Sequence, residues 1–198
     1  MNNPENIRSI IAASIAAKQL MADDTHLLQK ISVTVDLLAD TFTKGHRVYF
    51  CGNGGSAADA QHLAAEFTGR FYFDRPPLPA EALHTNTSYL TAVANDYSYD
   101  EVYVRLLRGI AGKGDVLMAF STSGNSKNII RALEEARIIG MKTVGFTGQG
   151  GGKMKDLCDI LIDVPSNDTP RIQECHIMTG HIICQFVEQR LFGDYASS

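Results

Sequence analysis

The sequence predicts an α/β fold in which one parallel sheet is sandwiched by helices in three layers, with a helical pair ahead of it. Short apolar runs at 47–51, 116–120, 142–147 and 160–164 alternate with longer stretches of helical periodicity, the pattern of strand–helix–strand units. The runs are apolar on successive residues, as strands buried on both faces must be. Two of them pass through a Gly/Ser-rich loop directly into a helix.

Residues 6–42 read as two helices, interrupted near Asp23 and Asp24, where a carboxylate can cap the second. After Lys44-Gly45 comes the first strand, then the turn Gly52-Asn53-Gly54-Gly55-Ser56 and a helix to about Thr68. Prolines 76, 77 and 79 mark an extended connection, followed by a short strand at 80–83 and helical stretches at 88–94 and 100–111. The second strand–loop–helix unit is the run 116–120, the loop Ser121-Thr122-Ser123-Gly124-Asn125-Ser126 and a helix that Gly140 stops. Residues 142–147 are a further buried strand, 148–152 a flexible glycine loop without obvious phosphate or metal ligands, and 160–164 the last strand. Thr169 and Pro170 read as the N-cap and first residue of a final helix to about Phe192. The expectation is one domain over 1–198, with N-terminal helices in 1–43 and the α/β core and C-terminal helix in 44–198. A chain of 198 residues, 44% of them hydrophobic, suffices for one core.

The formal charge of −4 offers no attraction to nucleic acid or to an anionic membrane, so neither is an expected partner. The four cysteines make no CxxC pair, which suits reduced thiols and a cytoplasmic location. The apolar run 10–17 lies between Arg8 and Lys18, but its isoleucines recur at helical spacing, so it reads as a helix face and not as a leader. No stretch approaches the length of a membrane span.

In an open parallel sheet, ligands bind at the carboxyl ends of the strands, where loops meet helix N-termini. Both Gly/Ser loops belong there. Backbone N–H groups at a helix start hold a phosphate without a basic surface, and hydroxyls on Ser121, Thr122, Ser123 and Ser126 add donors. Each charge-assisted hydrogen bond contributes about 1.5–3 kcal/mol, so a few suffice. Competing readings are a plain capping box of Ser56 with Asp59, and a dinucleotide fingerprint formed by Gly52, Gly54 and Ala57. The second would use Asp74 as the ribose acid, yet Asp74 precedes the second strand instead of ending it.

Cys51-Gly52-Asn53-Gly54-Gly55-Ser56, Ala60-Gln61-His62-Leu63-Ala64-Ala65-Glu66, Ser121 to Ser126 and Arg171-Ile172-Gln173-Glu174 together resemble the phosphoheptose isomerases, sugar isomerase (SIS) domain proteins of flavodoxin-like architecture. The likeness covers nearly the whole chain. It implies a homotetramer that isomerises sedoheptulose 7-phosphate to D-glycero-D-manno-heptose 7-phosphate for bacterial surface polysaccharide. Carried over motif by motif, it implies substrate contacts at Asn53, Gly54, Gly55, Glu66, Asn95, Asp96, Ser121, Thr122, Ser123, Ser126 and Gln173. It also implies one zinc per subunit at His62, Glu66, Gln173 and His181. A related class of SIS proteins binds the replication initiator without catalysis, and His62, Glu66 and His181 argue against that alternative.

His62 and Glu66 stand four apart on one helix and share a face. A polar, solvated helix face would look the same. His181, among Ile177, Ile182 and Ile183, could equally be a hydrogen-bonded core histidine. Gln173 and His181 are separated by two helical turns, a rise of about 12 Å, and glutamine is an unusual zinc ligand. His26, His46 and His84 read as structural or surface groups, and His176 as possible support for the site near Gln173. Ketose–aldose isomerisation needs a base that moves a carbon-bound proton and a group that manages charge on oxygen. Glu66 is the expected carbon base and His181 the oxygen-side acid/base.

Overall fold

In the computed structural model, which describes residues 3–193, five parallel strands lie between two helical layers. The ends of the expected domain, residues 1–2 and 194–198, lie outside the described residues. Helices α1 (Pro4–Asp23) and α2 (Thr25–Thr43) meet at Asp24. Its carboxylate accepts from the backbone N–H groups of His26 and Leu27 at 2.9 and 3.0 Å, so the break expected there is a cap. The chain continues through β1 (Val48–Cys51), α3 (Gly55–Thr68), β2 (Ala80–Ala82), α4 (Thr87–Asp96), a 3-10 turn (Tyr99–Glu101) and α5 (Val102–Ile110). Then come β3 (Val116–Phe120), α6 (Lys127–Ile139), β4 (Lys142–Thr147), a 3-10 segment (Gly152–Asp156), β5 (Ile160–Asp163) and α7 (Thr169–Phe192). The strands run in the order β2-β1-β3-β4-β5.

The two-residue period of a strand divides the core. Val48, Phe50, Val116, Met118, Phe120, Val144, Phe146 and Ile162 face a cluster with α2, α3 and α7, while Tyr49, Cys51, Leu117 and Ala119 face one with α5 and α6. Both faces are therefore dry, which explains the uninterrupted apolar runs. All four cysteines are unpaired. Among the described residues no helix is long and apolar enough to cross a membrane.

Three local expectations are corrected. The N-cap of α7 is Asp168, not Thr169, and Thr169-Pro170 form its first turn. Ser56 does not cap α3. The N-cap is Gly54, without a side-chain cap bond, and Ser56 is buried inside the first turn, so the capping box with Asp59 does not form. The 148–152 loop is tied to its neighbours, because Gly148 N–H donates to Thr122 O at 2.9 Å and Gln149 N–H to Ser166 O at 3.0 Å, and the segment after it is held where Met154 N–H donates to Gly124 O at 3.1 Å.

Candidate active site

The central strands β1 and β3 deliver the two loops to the same edge of the sheet, as adjacent parallel strands must. The first loop runs from Gly52 to Gly55. Tyr103 Oη donates to Gly52 O at 2.5 Å, and the side chain of Asn53 pairs with Asn128. In the second, Ser121 and Ser126 hydroxyls lie 2.9 Å apart, closing the loop at its base. Asn125 braces its rim by accepting from Lys153 N–H at 3.1 Å. Thr122 and Ser123, together with Gln149, Asn167, Thr169 and Ile172, line a cavity of about 170 Å³ at the start of α7. The loop expected to lack ligands thus supplies one wall of it through Gln149.

Helices α3 and α7 lie side by side in the same direction. Gly55 meets Gln173, Gly180 meets Leu63, and His62 meets His181. A Cβ on Gly55 would stand 2.5 Å from Gln173 Nε2, so a larger residue there would push the end of the Gln173 side chain aside. The residues of the Arg171-Ile172-Gln173-Glu174 stretch divide among three neighbours. Arg171 donates to Ile10 O and pairs with Glu174, which accepts from Ser14, so both anchor α1. Ile172 packs beside Gly148, and Gln173 alone turns toward α3.

One level further along, His62 Nε2 lies 3.0 Å from His181 Nε2 and 3.2 Å from Glu66 Oε1. Ligand atoms of His62, Glu66 and His181 all fall within 4.8 Å of one another. Two imidazole nitrogens and a carboxylate suit zinc with a coordination position left open. Three of the four expected metal residues are thus brought together. Gln173 rests against Gly55 two turns earlier on α7, at the level of the loops.

Burial lowers the pKa of His181, with the neighbouring His62 adding to the effect and Glu66 opposing it. Phe71 packs on the His181 ring at 5.6 Å. Asp59, one turn before His62, has its pKa raised by burial to about 6 while His62 pulls it down, and its Oδ2 is buried without a partner. Sequence reasoning placed Asp59 only as a cap partner. Asn95 and Asp96 stand on the exposed last turn of α4, bonded to each other at 2.9 Å. The 3-10 turn that follows brings Tyr99 Oη to Asn53 Oδ1 at 3.1 Å.

Four groups were missed from the sequence. Asn128 and Tyr99 hold Asn53, and a buried pair of Arg75 with Glu188 holds the far end of α3. Arg75 donates to Glu66 O at 2.8 Å and Phe67 O at 2.7 Å, and its Nε lies 3.0 Å from Glu188 Oε1. No local pattern marks them. Asp74 lies in the irregular connection before β2, not at its end, so the ribose acid of a dinucleotide site is not in position. His176 is fully buried, its Nε2 3.1 Å from Thr147 O and its ring edge against Phe120 and Phe146.

Two loops at the carboxyl edge of a five-stranded parallel sheet, with a reactive cluster between α7 and the helix that the first loop opens, define an SIS-type α/β protein. Correspondingly, the SIS domain profile matches residues 12–148. A phosphoheptose isomerase of Burkholderia pseudomallei (strain 1710b) is 50% identical over 187 residues, covering 94% of this chain and 95% of that one. Solved phosphoheptose isomerases superpose closely. That of Francisella tularensis has a TM-score of 0.91 at 33% identity over 96% of this chain and 100% of its own. That of Neisseria gonorrhoeae has a TM-score of 0.88 at 40% identity, covering 93% and 98%. The chain belongs to the phosphoheptose isomerase family of SIS domain proteins.

Proposed function

We propose that this chain is an aldose–ketose isomerase that converts sedoheptulose 7-phosphate to D-glycero-D-manno-heptose 7-phosphate, a heptose for surface polysaccharide. The observation that carries the reading is the meeting of Glu66, His62 and His181 between α7 and α3, the helix that the first loop opens. The initiator-binding alternative is not favoured, since relatives named for the isomerase match nearly the full chain.

Ser121, Thr122, Ser123 and Ser126 are assigned to the phosphate, with the N-terminus of α6 behind them. Asn53, Gly54, Gly55 and Gln173 contact the substrate from the first loop and α7, and Asn95 and Asp96 approach from the end of α4. Glu66 removes the proton from the carbon beside the carbonyl and returns it to the neighbouring carbon, with a cis-enediol between. Its Oε1 faces His62, so Oε2 is the oxygen assigned to the carbon-bound proton. His181, kept neutral near pH 7 by burial, exchanges the proton on the substrate oxygens. His62, Glu66 and His181 fit zinc by donor type, and a bound zinc would polarise the carbonyl and stabilise negative charge on oxygen.

We further propose a single-domain subunit that assembles as a homotetramer in the cytoplasm. Supporting assembly, Ile7, Ile11, Ile15 and Leu20 of α1, Leu28 of α2 and Phe186 of α7 are all exposed on the subunit. Solution mass measurement checks it, and a monomer with full activity overturns it. The activity is tested by incubating the purified protein with sedoheptulose 7-phosphate and following the product by NMR. An aldoheptose phosphate is expected, and its absence with and without added zinc overturns the reading.

A further inference from the structure

Asn128 belongs to none of the groups assigned above. It is the second residue of α6 and is buried where the two loops meet. Its Oδ1 accepts from the backbone N–H of Ile129 at 3.0 Å and from Asn53 Nδ2 at 2.9 Å, while its Nδ2 donates to Asn53 Oδ1 at 2.8 Å. A backbone N–H only donates, so the Ile129 contact determines which end of the Asn128 amide is oxygen. The reciprocal pair passes that choice across to the first loop: Asn53 must turn its own Oδ1 toward Asn128 Nδ2. Tyr99 Oη donates to the same Asn53 oxygen at 3.1 Å, using its second lone pair. What the Asn53 amide has left to offer is one Nδ2–H.

We propose that Asn128 is a positioning residue that holds Asn53 as a hydrogen-bond donor of fixed orientation. The ligand group read at this point is then an acceptor oxygen, on either the sugar chain or the phosphate. The inference rests on the assignment of Asn53 to the substrate site made above. Without Asn128 the amide of Asn53 can rotate and present oxygen to oxygen, so a bond is replaced by a repulsion. Asn128 also joins the two loops, one following β1 and the other β3, so the donor is placed relative to the hydroxyl loop as well as to its own strand.

The test is a double-mutant cycle on kcat/KM for sedoheptulose 7-phosphate with Asn53→Ala, Asn128→Leu and the double variant. Each single variant should lose about five- to tenfold, the worth of one hydrogen bond, and the double should lose no more than Asn53→Ala alone. A purely structural role for Asn128 would instead give losses that multiply. Multiplying losses, or wild-type kcat/KM for Asn128→Leu while Asn53→Ala is impaired, overturn the proposal and leave the substrate role of Asn53 standing. A silent Asn53→Ala has a different signature and removes that role and the proposal together. Should Asn128→Leu fail to fold, Asn128→Ala removes both contacts to Asn53 without adding bulk or charge. Its loss should then shrink in the Asn53→Ala background, and an undiminished loss overturns the proposal. Competitive inhibition by inorganic phosphate separates the two sources of the oxygen. An inhibition constant weakened in parallel with kcat/KM assigns the donor to phosphate, and an unchanged one assigns it to the sugar.

Discussion

The Nε2 atoms of His62 and His181 stand 3.0 Å apart across the contact of α3 with α7, a spacing at which the two facing atoms can hold one proton between them but not two. A divalent cation bound there would take the place of that proton, with Glu66 supplying the compensating charge. Metal-free protein should therefore take up one equivalent of zinc per chain in a chelator-competition titration. At a hundred times its dissociation constant, zinc would add about 2.7 kcal/mol, or roughly 5–10 °C in thermal midpoint. His62→Ala and His181→Ala should each weaken uptake at least about tenfold. Zinc uptake unchanged in both variants would remove the cluster as the metal site.

Glu66→Gln should fold normally and bind sugar phosphate, yet lose about 10²–10⁴-fold in turnover, because an amide cannot accept the carbon-bound proton. Metal content is measured on the same sample, since part of the loss could come through His62 and the cluster. Reaction in D₂O supplies the independent reading: solvent deuterium should enter the second carbon of the product. Full activity of Glu66→Gln would end the assignment.

Arg75 and Glu188 form an ion pair in which both side chains are 1% exposed. Glu188 also accepts from the backbone N–H groups of Phe71 and Tyr72, at 3.0 and 2.7 Å. Arg75 meanwhile caps the carbonyls at the end of α3. Removing one partner strands a buried charge, so Glu188→Ala should cost about 3–5 kcal/mol in urea unfolding. The double variant Arg75→Met with Glu188→Leu should recover little of that, because it leaves the carbonyls of Glu66 and Phe67 and the N–H groups of Phe71 and Tyr72 without partners. A loss under about 1 kcal/mol for Glu188→Ala would mean that water reaches Arg75.

His176 has its pKa pushed down to about 4 by burial, with its bond to Thr147 O working weakly the other way. A folded pKa below the unfolded value means that the unfolded chain binds the proton first. The stability due to a neutral His176 is thus fully present above the unfolded pKa of about 6.5 and is lost as the pH falls toward 4. Over that window the loss is roughly 3 kcal/mol for one proton. His176→Phe should flatten the acid limb of a stability–pH profile between pH 6.5 and 4 while changing the neutral plateau less. An acid limb identical to wild type would show that other groups carry it.

The helical segments and strands were legible because each is encoded within its own neighbourhood. Asp24 caps α2 with its own side chain, and Gly140 ends α6 with a left-handed φ of 87° that other residues rarely adopt. The shared face of His62 and Glu66 also follows from a spacing of four on one helix. Asp59 shows the limit of such reasoning. Ser-x-x-Asp at a helix start satisfies a capping pattern, but the chain enters α3 two residues earlier, through Gly54, and the carboxylate ends up half-buried.

By itself the sequence determined the alternation of strand, loop and helix, the dry sheet, the two hydroxyl- and glycine-rich turns and the family likeness. Only the tertiary structure decided that His181 meets His62 across 119 positions, that Asn128 orients Asn53 across 75, and that Glu188 holds Arg75 across 113. The reason is physical: periodicity and capping are written in energies between residues a few positions apart. These contacts depend instead on the strand order β2-β1-β3-β4-β5 and on the parallel packing of α3 with α7, which bring together side chains whose local surroundings carry no mark of one another.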